Sequence, residues 1–121
     1  MIIAIVDDLL FRAKIHEAAA RRGVAVRPAV DAASAVRALH DDPGSLVLID
    51  LNLSGGDPVG IVAAIRRAEP AAQIVGYCSH VQANLQALAR AAGCAAVWPR
   101  SALIQRLSEV MAGASGGFVC C

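Results

Sequence analysis

No stretch of this 121-residue sequence comes near the roughly 20 uncharged apolar residues that a membrane-spanning helix needs. That holds although 57% of the residues are hydrophobic and mean hydropathy is +0.57. No signal peptide is expected: Met1 leads through a short apolar segment straight into Asp7 and Asp8, with no basic n-region and no small-residue cleavage site. A cytoplasmic protein is expected. Net charge is only +1 and the pI about 7.7, whereas a dedicated nucleic-acid binder shows a basic stripe or a pI above roughly 9. Of the 11 basic residues only Lys14 is a lysine. The arginines are scattered except for the pairs Arg21-Arg22 and Arg66-Arg67, which suit the negative ends of helix dipoles. The four cysteines, Cys78, Cys94, Cys120 and Cys121, form no C-x-x-C, and only His80 lies near one of them. That spacing argues against a zinc–thiolate centre. Cys78 and Cys94 read as small hydrophobes. The terminal Cys120-Cys121 pair lacks the C-a-a-X lipidation pattern and has no explanation in the sequence.

What the sequence does have is alternation. Short, nearly continuous apolar runs at Met1–Val6, Val24–Val30, Leu46–Ile49, Gln73–Tyr77 and Ala95–Trp98 read as strands. Between them, segments of helical spacing run over Leu9–Arg22, from the cap Asp31 to about His40, from Asp57-Pro58 to about Ala68, over Val81–Ala92, and from a Ser101 cap to about Met111. Such alternation predicts an α/β fold: a doubly wound, five-stranded parallel sheet with helices on both faces, (βα)5. Residues 1–112 are expected to form one domain, and 113–121 a loose tail.

The chemistry concentrates at strand ends. In an open parallel sheet, sites form beyond the carboxyl ends of the strands, at the point where strand order reverses. Asp7 and Asp8 close the first strand and Asp50 closes the third. In the flavodoxin-like order 2-1-3-4-5 those strands are neighbours, so the three carboxylates converge. Anions that close raise each other's pKa, and a hard divalent cation such as magnesium relieves them. A carboxylate beside magnesium is also a nucleophile towards phosphoryl groups. The plainer reading is that these acids cap helices or sit in solvent.

The IVDD of the first strand, the LIDLNLSGGDP of the third and the ARAAG before the fifth resemble the receiver domains of two-component response regulators, over about residues 2 to 112. The resemblance implies that Asp50 accepts a phosphoryl group from a sensor histidine kinase or phosphotransfer protein. It implies that Asp7 and Asp8 bind magnesium with Asp50, and that the main-chain carbonyl of Asn52 completes the protein ligands. It further implies signalling through a downstream protein target, with no enzymatic activity beyond self-catalysed phosphotransfer and dephosphorylation.

Three positions depart from the family pattern. The threonine or serine that closes the fourth strand is replaced by Cys78, a weak donor. The neighbouring Ser79 is expected to point another way. The lysine that closes the fifth strand is replaced by Arg100, counted seven from Gly93; it is followed by Ser101 instead of proline, while Pro99 lies one place upstream. An alternative register puts Trp98 in the lysine slot. The aromatic switch position holds Val97, and Trp98 beside it is expected on the other face of the strand. His80 falls where the family tunes the lifetime of the phosphoryl group; it reads equally as an exposed loop histidine.

Three functions follow. One is a single-domain receiver phosphorylated at Asp50. Another is a phosphorylation-independent pseudo-receiver that serves as a protein docking module. The third is a small magnesium-dependent phosphatase, for which Asn52 stands where a general acid is required. The fourth helix carries Arg90 but no acid, so a monomer or a weak apolar dimer is expected.

Overall fold

A computed structural model describes residues 1–54, 56–79 and 82–112, with side chains to 109. His80, the expected tail 113–121 and its two cysteines lie outside the described residues. Five strands, β1 (Ile2–Ile5), β2 (Val26–Pro28), β3 (Leu46–Asp50), β4 (Gln73–Cys78) and β5 (Ala96–Pro99), alternate with five helices, α1 (Leu9–Arg21), α2 (Ala32–Asp41), α3 (Pro58–Ala68), α4 (Ala83–Ala92) and α5 (Arg100–Ala112). The strands form one parallel sheet in the order β2-β1-β3-β4-β5, as the alternation predicts.

The period-two alternation of the strands separates two cores. Ile3, Ile5, Val47, Ile49, Ile74 and Val97 pack under the buried faces of α2, α3 and α4. Ile2, Ala4, Leu48, Tyr77, Ala96 and Trp98 pack under Phe11, Ile15, Leu103 and Leu107 of α1 and α5. Val97 and Trp98 thus face opposite sides, as expected. Among the described residues no helix is long and apolar enough to cross a membrane.

Local sequence sets the helix starts. Asp31 accepts from Ser34 N, and Ser34 Oγ accepts from Asp31 N, a reciprocal cap on α2. Asp57 caps α3 with Pro58 in its first turn. Gly93 ends α4 at φ +136°, where a side chain would be strained and its Cβ would lie 2.9 Å from Arg66 Nε.

Several boundaries differ from the sequence expectation. β2 is confined to Val26–Pro28, because Val24 N is bonded to Ala19 O in the turn leaving α1. As the edge strand it is also half exposed, not covered on both faces. α5 begins at Arg100, so Ser101 lies in its first turn and is not its cap. β3 and β4 each run one residue further, to Asp50 and Cys78, which carries both to the rim where the acids sit.

Candidate functional site at the carboxyl ends of the strands

β1 and β3 are adjacent, with Ile5 opposite Ile49, so the residues that leave both strands meet at one edge. Asp50 is the last residue of β3 and is only 2% exposed, which for a carboxylate demands compensation. Two groups supply it. Asn52 N donates to Asp50 Oδ1 at 2.8 Å, and the Arg100 guanidinium stands with Nη2 3.7 Å from Asp50 Oδ2. Burial pushes the Asp50 carboxyl above the ordinary carboxylate range. The Asn52 N–H and Arg100 oppose that shift, while Asp7 and Asp8 add to it.

Asp8 has two roles. Its Oδ1 accepts from Phe11 N at 3.1 Å and caps α1; its Oδ2 lies 3.5 Å from Arg100 Nη2. Asp8 thus caps α1 and also stands beside Arg100 at the rim where Asp50 lies. Asp7 turns outward: its Oδ2 accepts from Ser54 N and Ser54 Oγ, each at 3.0 Å. The Ser54 N–H, followed by its hydroxyl, holds the Asp7 carboxyl below its usual range.

Arg100, not Trp98, reaches the acids, which fixes the register counted from Gly93. Pro99 ends β5 opposite Cys78, and Trp98, 3% exposed, belongs to the core under α1 and α5. The Arg100 guanidinium also lies over the Phe11 ring, 4.9 Å from its centroid. A cleft of about 500 Å³ opens beside it, walled by Asp8, Phe11, Lys14, Ser79, Arg100 and Ser101.

Cys78 is fully buried in the core under α2 to α4, with Gln86 Nε2 4.0 Å from its sulfur. It does not line the cleft; Ser79 does, contrary to the expectation that it points away. The reason is the strand end. Once Cys78 is committed to the core, alternation turns the next residue out over the acids. The β4 residue opposite Asp50 is Tyr77, whose ring lies 5.2 Å from that of Phe11 and whose hydroxyl is buried with no hydrogen-bond partner among the described residues. Burial, then the Asp50 charge, pushes the Tyr77 phenol far up.

The sequence reading passed over Phe11, Tyr77, Ser54 and the side chain of Asn52. Only Phe11 had a visible signal, three residues beyond the capping Asp8. Ser54 and Asn52 act through loop geometry, which no periodicity reports.

The donor set suits magnesium in kind: Asp8, Asp50, the Asn52 carbonyl and Asp7 are all hard oxygen ligands. Among the described residues, however, no three metal-ligating side chains close on a common point. Asp7 is drawn to Ser54, and Arg100 already brings a positive charge to Asp8 and Asp50.

No protein-family model matches the chain, and no curated protein does. Solved structures do. A LuxR-family two-component response regulator from an Aurantimonas species superposes with a TM-score of 0.72 at 26% identity, over 93% of this chain and 84% of that one. The receiver domain of NtrX from Brucella abortus gives a TM-score of 0.74 at 21% identity, over 95% of this chain and 100% of that one. A Burkholderia pseudomallei response regulator, solved with a phosphorylated aspartic acid, calcium and citrate, gives 0.75 at 21%, over 93% and 71%. The chain has the receiver fold and resembles the receiver domains of response regulators.

Proposed function

We propose that the chain is a receiver that takes a phosphoryl group on Asp50 from a phosphohistidine of a sensor kinase or phosphotransfer protein, and acts through a protein target. One observation carries the reading: the buried acid at the end of the central strand β3 faces a guanidinium 3.7 Å away, and Asp8 lies 3.5 Å from the same guanidinium nitrogen. Poor solvation makes the Asp50 carboxylate a better nucleophile than a surface acid.

An Asp50 oxygen attacks phosphorus and a P–O bond forms. The P–N bond of the donor breaks, its electron pair stays on the imidazole nitrogen, and that nitrogen takes a proton from solvent. Arg100 meets the charge on the equatorial phosphoryl oxygens, the largest need in such a transfer. The Asn52 N–H orients the attacking carboxylate. Asp8, Asp50 and the Asn52 carbonyl would hold magnesium, with Asp7 assisting, and the bound ion would supply further charge neutralisation. Hydrolysis of the acyl phosphate by water restores the carboxylate; no other turnover is assigned to the chain.

Intact-mass spectrometry with acetyl phosphate and magnesium tests this. One phosphoryl adduct on the wild type and none on Asp50→Asn is expected. No adduct on the wild type rejects the reading. It then favours the pseudo-receiver, for which the burial of Cys78 in the core is the supporting observation.

A further inference from the structure

The salt-bridge distances of Arg100 leave a question. At 3.5 and 3.7 Å, neither carboxylate contact is as short as a charge-assisted hydrogen bond of about 2.7–2.9 Å. Arg100 Nε is buried and has no hydrogen-bond partner among the described residues. The acids attract this side chain but do not fix where its plane lies. An arginine has several rotatable bonds, and a phosphoryl group needs its cation in one place.

The missing constraint is aromatic. The guanidinium carbon sits 4.9 Å from the centroid of Phe11, inside the roughly 6 Å range over which a ring face attracts a cation. Phe11 is itself anchored three ways. Its N–H is held by Asp8 Oδ1, its side chain is buried in the core under α1 and α5, and its ring rests on Tyr77. Tyr77 is wholly buried. A chain of contacts therefore runs from the rigid sheet through two rings to the cation. It also closes on itself, because Asp8 holds the backbone of Phe11 and pairs with Arg100.

We propose that Phe11 is a positioning residue, whose ring face holds the Arg100 guanidinium beside Asp8 and Asp50. This rests on the phosphoacceptor reading and deepens it. A compact ammonium group is a point charge and needs no plane to lie on. A planar guanidinium does, and an aromatic face suits it. The arginine at position 100 and the phenylalanine at position 11 are thus one device.

A double-mutant cycle tests it, with the rate of Asp50 labelling by acetyl phosphate as readout. Phe11→Leu keeps apolar bulk and removes the ring face, and should slow labelling about fivefold to tenfold. Phe11→Tyr keeps the face and should restore the rate. In an Arg100→Gln background, Phe11→Leu should have no further effect, because the two act as a unit. The same slowing in both backgrounds would mean that Phe11 only packs, and would overturn the proposal. Should Phe11→Leu fail to fold, Phe11→Met takes its place in the cycle. A second measurement does not depend on phosphorylation. The Arg100 Cδ–H₂ and Nε–H resonances of the wild type should be displaced upfield by the Phe11 ring current. Without that displacement the contact does not exist in solution and the proposal fails. A wild type that shows it but never labels would sink the phosphoacceptor reading and, with it, Phe11's role in the transfer.

Discussion

The side-chain oxygen of Asn52 accepts a hydrogen bond from Ser79 N at 2.7 Å, while its amide nitrogen donates to Gln82 Oε1 at 2.9 Å. One side chain thus ties the end of β3 to the end of β4 and to the start of α4. Gln82 precedes the first turn of α4 without capping it by its own side chain, so the Asn52 tie is what anchors that end. Asn52→Ala should cost about 1 kcal/mol, an ordinary net value for a hydrogen bond to a partly exposed group. Amide exchange at Ser79 and in the first turn of α4 should quicken. Native-state exchange by NMR checks this, and unchanged protection at Ser79 would show that the tie is absent in solution.

Magnesium and Arg100 compete for the same carboxylates. The wild type should bind magnesium in the low-millimolar range, and Arg100→Gln should bind it several-fold more tightly. Removing a cation 3.5–3.7 Å from two ligands raises their attraction for another. Titration followed by Trp98 fluorescence and amide shifts reads both affinities. Weaker binding in the variant would show that the guanidinium supports the metal site instead of opposing it.

Asp50 ties stability to pH. Its folded-state pKa is raised, chiefly by burial. Whatever this group adds to stability is therefore fully present below its unfolded pKa, about 3.9, and is lost as pH rises through the folded value. Asp50→Asn removes the buried charge, so it should be the more stable protein at pH 7. Its advantage should shrink as pH falls through the raised folded-state value of Asp50 and be gone below about 4. Urea melts of both proteins across that window, without metal, make the comparison. An advantage that grows on acidification would reverse the assignment of burial as the main cause. Asp7 has the opposite sign, its pKa being lowered by Ser54, but it is too exposed to weigh in the balance.

How far the sequence spoke follows from the range of each signal. Period-two and period-3.6 patterns, caps such as Asp31 and Asp57, and the stop at Gly93 are local, and they placed strands and helices; the strand order came from the flavodoxin-like order that the resemblance implies. The meeting of Asp8, Asp50 and Arg100 also followed, because all three sit at strand ends, where the topology sets position. What escaped lies in loops and in side-chain direction. The turn of Asp7 towards Ser54 depends on the path of the β3–α3 loop. The emergence of Ser79 over the cleft depends on one extra residue of β4. The stack of Arg100 on Phe11 joins residues 89 positions apart, and nothing periodic connects them.

Association should be weak. α4 presents Leu88, 58% exposed, together with Arg90, and it carries no acid between Ala83 and Ala92. Without acid–base pairs, any dimer through this face must be apolar and nearly indifferent to salt. Sedimentation equilibrium at low and high ionic strength should give a monomer, or a weak dimer of the same affinity at both. A tight dimer that falls apart steeply with salt would place the interface elsewhere.

The last expectation concerns what a phosphoryl group on Asp50 changes at a distance. A ligand shifts a conformational equilibrium only by its differential affinity for the two states. The fold offers two routes through its core from Asp50 to the outer surface. One runs through β4 to Cys78, whose thiol is sealed in the core beside Gln86 and makes at best a weak hydrogen bond. The other runs through β5 to Val97, 7% exposed and β-branched, with few rotamers to exchange. Both are poor reporters, so beryllofluoride should perturb amides around Asp8, Asp50, Ser79 and Arg100 and leave Val97 and α4 nearly still. The Asn52 tie is a third route, because Ser79 and Gln82 both hang on a side chain two residues from Asp50. Amide shift mapping with and without the mimic separates the cases. Quiet shifts across residues 83 to 98 would confirm that the chemistry has been uncoupled from the outer face. Large shifts that persist in Asn52→Ala would mean that the core route through Cys78 and Val97 still works. Large shifts that vanish in Asn52→Ala would identify that side chain as the coupling element.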